Sequence, residues 1–155
     1  MAYHIIWKNT DGSLKITSMQ NTATAEDAAE HKDTLITHGE LAVFQTIIKS
    51  EQLPQERYFR NAWRFDGSNV VLDIPSCRQR HLDKLRRIRN GKLQDSDADY
   101  MRALEQNDVA KLETLKSYRQ ALRDMPQTAS ATLQTANTPS EIKAVHPAIL
   151  TTLKP

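Results

Sequence analysis

The 155-residue chain predicts an α+β fold: a small N-terminal β-β-α-β sheet module with a further hairpin, followed by an α-helical hairpin and a short C-terminal helix. Three features carry that expectation. Two β-rich runs flank an Asp-Gly turn near the N-terminus, apolar spacing changes to a helical period after Pro75, and Thr138-Pro139-Ser140-Glu141 reads as a helix start. The break between the two patterns predicts one unit over residues 1–73 and a second over 74–155.

Residues 3–7 and 13–17 are the first two strands, joined across Asn9-Thr10-Asp11-Gly12, because Asp-Gly supplies the positive φ angles of a tight turn. Thr24 caps a helix over 25–37, with Glu26 and Asp27 against its N-terminal dipole and Gly39 just past its end. Residues 41–48, β-branched and aromatic, return to the sheet. Pro54 and its charged neighbours make 51–60 a connection. Residues 62–65 and 69–72 then flank Asp66-Gly67-Ser68 as a second hairpin, either extending the first sheet or forming its own flap.

From Pro75, Leu82, Leu85 and Ile88 recur at helical steps, and Ser76 with Gln79 fits a capping box. Gly91 costs only about 1 kcal/mol relative to Ala, so this helix is allowed to run on through Tyr100, Met101 and Leu104. Asn107-Asp108 makes a turn and cap, and Val109, Leu112, Leu115, Tyr118 and Leu122 define the partner helix, which Met125-Pro126 ends. Residues 127–137 read as polar and only partly helical. In the last helix Thr138 caps, Pro139 takes the first turn, Glu141 completes a capping box, and Pro147 bends or ends the segment.

Composition narrows the function classes. Lys and Arg total 21 against 19 Asp and Glu, a net charge of +2, so long-range attraction to nucleic acid or anionic membrane is weak. The longest apolar runs fall far short of the roughly 20 residues that span a bilayer. The N-terminal residues do not read as a secretory signal, which predicts cytosolic synthesis. Cys77 is the only cysteine, excluding an intrachain disulfide and a multi-Cys zinc site.

Catalytic and ligand motifs fail one by one. Cys77 and His81 lie four apart on a helix, the spacing of a nucleophile and base, but no nucleophile context surrounds them and a packed Cys is the better account. Asp95-Ser96-Asp97-Ala98-Asp99 resembles the start of a calcium loop, yet Tyr100 stands where Gly is needed and Gln106 where Glu is needed. It reads instead as an acidic helix face opposite a basic helix. His4, His31, His38, His81 and His146 show no ligand spacing, and no phosphate-binding or dinucleotide fingerprint occurs. No cofactor, no metal and no catalytic residues are expected. The basic stretch 78–92, with Tyr58, Phe59, Trp63 and Phe65 upstream, is the one alternative: a nucleic-acid-binding regulator. The acidic residues of 95–108 can neutralise that helix, and the aromatics have the spacing of a strand core.

Two motifs of the second half carry a resemblance. Arg86-Arg87-Ile88-Arg89-Asn90, followed after an acidic stretch by Tyr118-Arg119-Gln120-Ala121-Leu122-Arg123-Asp124-Met125-Pro126, resembles the C-terminal module of phage tail-assembly chaperone proteins. Leu53-Pro54, with residues 57–63, and residues 138–147 are similar to the flanks of that module in phage and prophage proteins, so the likeness spans 53–150. One departure is that the family's Thr-Asp-Trp signal is replaced by Asp97-Ala98-Asp99-Tyr100.

The resemblance implies a non-enzymatic phage or prophage protein that acts through protein-protein contacts in tail or virion assembly, as a virion component or an assembly factor. Implied partners are phage tail, fibre or other virion proteins, met in the host cytoplasm during assembly or in the virion tail. Arg86, Arg89, Tyr118, Arg119 and Arg123 are the candidate contact residues, since Arg and Tyr combine area with directional hydrogen bonds at interfaces. The competing account for Arg89 and Arg123 is internal pairing with Asp95, Asp99 or Asp124. The N-terminal sheet is expected to offer a second binding surface or an edge for homo-oligomer formation.

Overall fold

A computed structural model describes residues 2–155 and is α+β, strands first and helices after. The chain divides into two compact units, Met1–Asp73 and Ile74–Pro155.

In the first unit, β1 (Tyr3–Lys8) is the central strand, with β2 (Leu14–Ser18) and β3 (Val43–Lys49) antiparallel on either side. Gly12 at φ +80° closes the first turn, and the Asp11 carboxylate accepts from the backbone N–H and hydroxyl of Ser13. Ile5, Ile6 and Trp7 are fully buried because both faces of β1 are covered. Ile5 and Trp7 pack with Ala28 and Leu35 of α1 (Ala25–Thr37), whereas Ile6 and Ile48 pack with Leu53, Trp63 and Val70. The last two belong to β4 (Trp63–Phe65) and β5 (Val70–Leu72), which form a separate two-stranded sheet on that second face.

Thr24 caps α1 as the sequence predicts, and Asp27 does more than face the helix dipole: the two residues exchange the hydrogen bonds of a capping box. The third strand begins two residues later than expected. Glu40 takes the Ala42 N–H on its carboxylate at 3.0 Å, removing that donor from the ladder, and Leu41 is left exposed.

The second unit corrects the helix boundaries in three places. α2 (Ile74–Asp95) starts ahead of the proposed Ser76–Gln79 box, with Pro75 in the first turn, where a missing N–H costs nothing. It passes through Gly91 but stops before Ser96, so the chain resumes as a distinct α3 (Asp97–Glu105). α4 (Val109–Thr135) does not end at Pro126. Its buried stripe of Leu115, Tyr118, Leu122, Met125, Ala129 and Leu133 continues at three- and four-residue steps, and burial of Ala129 and Leu133 offsets the roughly 3 kcal/mol of an internal Pro.

α5 (Pro139–Ala144) has the predicted Thr138–Glu141 capping box, and a 3-10 turn (Ala148–Leu150) follows Pro147. Cys77, Leu82 and Leu85 of α2, with Ala103, Ile142 and Leu150, complete the core of this unit.

Candidate functional site

The α2–α3 junction is built around Ser96, a fully buried polar residue. Its hydroxyl donates to the Leu93 carbonyl at 2.7 Å, a side-chain bond that competes with continuation of the helix. Arg119 of α4 reaches the same place. Its Nη1 donates to the Leu93 carbonyl at 3.1 Å, to Ser96 Oγ at 2.6 Å and to Asp97 Oδ1 at 2.6 Å, and its guanidinium lies 5.4 Å from the Tyr100 ring centroid. One cation therefore satisfies the end of α2, offsets the Asp97 charge and fixes α3 against α4. At the opposite end, Arg78 donates to the Ala136 carbonyl and to Asn137 Oδ1, both at 2.9 Å. These two ties make α2 and α4 antiparallel.

A groove of about 460 Å³ opens beside the Arg119 tie, lined by Tyr100 of α3 and by Lys116, Ser117, Arg119, Gln120 and Arg123 of α4. Lys116, Arg119 and Arg123 recur at three- and four-residue steps, which sets them along one stripe of the helix. Lys116 pairs with Glu113 at 2.8 Å on the same exposed surface. Arg123 is exposed and makes no ion pair among the described residues.

The five candidate contact residues have different fates. Tyr118 is only 7% exposed, so its ring is core and the expectation that the helices present it to a partner is corrected. Arg119 is committed to the junction. Arg86 is half-buried and sits 3.1 Å from Asp83. Arg89 is half-buried, and its buried Nε has no hydrogen-bond partner. Only Arg123 stands fully open. The competing internal pairing of Arg89 and Arg123 is not found among the described residues, where the partners of Asp99 are Arg102 and Lys154, and Asp124 accepts from Gln120.

The acidic run is also rearranged. With the helix broken at Ser96, Asp95 closes α2 while Asp97 and Asp99 stand in the first turn of α3, where carboxylates suit the helix dipole. Their cations come from α3, α4 and the C-terminal Lys154, not from the basic stretch 78–92. A hydrogen bond from Lys154, aided by the charges of Arg102 and Lys111, holds the Asp99 carboxyl below its ordinary range. Sequence reading missed Ser96 and Lys154. The only signal for Ser96 was a Ser set between carboxylates in a helical stretch, and Lys154 had none.

Other chemistry is absorbed by the fold. Cys77 is buried, and His81, 4% exposed, places Nε2 2.9 Å from the Val145 carbonyl, so that nitrogen carries the proton and ties α2 to the end of α5. Within the basic stretch, Arg78, Arg86 and Lys92 are committed to protein acceptors, whereas Arg80, Lys84 and Arg87 are exposed. Among the described residues no three His, Cys, Asp or Glu side chains gather as metal ligands, and no helix is long and apolar enough to cross a membrane.

Residues 82–141 match the family model of phage tail assembly chaperone proteins. The match covers less than half of the chain and lies wholly in the second unit. It takes in both motifs that suggested the likeness, residues 86–90 and 118–126, together with the Ser96–Arg119 junction and the groove. The chaperone-like segment leaves residues 53–63 outside, so the likeness is narrower than the 53–150 span read from the sequence. It points to a role in phage tail assembly. No curated protein and no solved structure matches the chain.

Proposed function

We propose that this protein acts without catalysis in phage tail assembly, by direct contact between its helical unit and a tail protein. The observation that carries this reading is the family match over 82–141, because that segment holds the Arg119 junction and the groove beside it. On this reading Arg123 and the exposed part of Arg86 touch the partner, while Tyr118 and Arg119 hold the surface in shape from within. The protein works in the host cytoplasm as an assembly factor.

The test is fractionation of an infection. Tagged protein is followed by mass spectrometry in infected-cell extract and in purified particles. An assembly factor co-purifies with tail proteins from extract and is absent from particles. A stoichiometric band in particles overturns the transient role, and tagged protein that is absent from particles and co-purifies with no tail protein from extract overturns the tail reading.

A further inference from the structure

The groove between α3 and α4 has one chemical character. Lys116, Arg119 and Arg123 supply three cations, Ser117, Gln120 and Tyr100 supply neutral hydrogen-bonding groups, and no carboxylate lines it. The cations differ in availability. Arg119 is held by the Leu93 carbonyl, Ser96, Asp97 and the Tyr100 ring, so it is a fixed wall. Arg123 is exposed and uncommitted among the described residues. Among the described residues Lys116 is bound only to Glu113, in an exposed pair three residues apart, a contact weak enough to be exchanged for a better acceptor.

We infer that this groove binds an acidic segment of a partner protein, with Lys116 and Arg123 pairing its carboxylates across the ends of the groove and Tyr100 and Arg119 forming the rigid wall between them. The charge of the lining selects the occupant. Lys116 and Arg123 stand seven residues apart, two helical turns, a spacing that carboxylates on one face of an acidic helix reproduce. A fixed, pre-ordered Arg also lowers the ordering cost of binding. The inference rests on the tail-assembly reading only for the origin of the segment, since the groove's preference for carboxylates is independent of it.

The full-length protein is titrated into a fluorescein-labelled Glu/Ala-rich helical peptide, the same peptide with Gln for every Glu, and a short DNA duplex. The Glu peptide is expected to bind in a salt-sensitive manner and the Gln peptide to bind at least about tenfold more weakly. Lys116→Glu with Arg123→Glu is expected to lose binding by a similar factor, whereas Arg80→Glu with Arg87→Glu, equal in charge change and placed on α2, retains it. Equal loss in both double variants overturns the inference in favour of a net-charge effect. Equal binding of the Gln peptide overturns it as well, and so does preference for the duplex. Circular dichroism monitors folding, and if the Glu variant unfolds, Lys116→Gln with Arg123→Gln replaces it. Tail-protein capture that survives the groove variant sinks the groove and leaves the tail reading standing. Glu-peptide binding by a protein that captures no tail protein does the reverse.

Discussion

Arg119 and Arg123 lie four residues apart on α4, yet their side chains do different work. Arg119 Nη1 is shared by three acceptors, Ser96, the Leu93 carbonyl and Asp97, and truncation removes that charged donor from all of them. Arg119→Met is expected to cost about 1–3 kcal/mol in urea unfolding, and Arg123→Met to stay within about 0.5 kcal/mol of the parent. Equal effects contradict the assignment of Arg119 to the junction.

His4 makes stability depend on pH just below neutrality. Ser50 spends its hydroxyl proton on the Ala2 carbonyl, so His4 Nε2 donates to Ser50 Oγ at 2.9 Å and Nδ1 accepts from Ser18 at 3.0 Å. Burial first, and then the charges of Arg57 and Arg60, push the imidazole pKa below 6.5. The unfolded chain therefore binds the proton more readily. The stabilising contribution is full above 6.5 and is lost as pH falls through the lower folded value. His4→Asn is expected to flatten the fall in melting temperature just below 6.5 relative to the parent, and an unchanged slope contradicts this account.

At the scale of elements, the unforeseen feature is the last third of α4. A proline was read as a helix end because its local cost is large, but the buried stripe runs on through Ala129 and Leu133 and overrides it. Leu133→Ala is expected to cost about 2–5 kcal/mol in denaturant unfolding. A loss below about 0.5 kcal/mol contradicts the continuous helix. Where ends are set by local chemistry they were legible. The Thr24 cap and the Thr138 capping box were both read correctly from the residues, and Thr138→Ala is expected to cost about 0.5–2 kcal/mol, checked by the same unfolding measurement. The break at Ser96 was not legible, because it depends on an arginine from another helix.

At the scale of the whole molecule, the α+β class was evident from the change of apolar period, and the family likeness from two short motifs. The candidate site was less legible. Spacing identified arginines on α4, but only packing separates the one that holds the fold from the one that faces solvent, and Lys116 and Tyr100 entered only once α3 and α4 were side by side. The second unit thus joins an internally braced helical frame to a cationic groove within a segment like those of tail assembly chaperones.

The central claim is tested most directly by affinity capture of the tagged full chain from phage-infected cells, read by quantitative mass spectrometry beside the Lys116→Glu, Arg123→Glu variant. The account predicts tail proteins enriched with the parent and depleted with the variant. Capture without any tail protein, or with nucleic acid as the shared component, contradicts it.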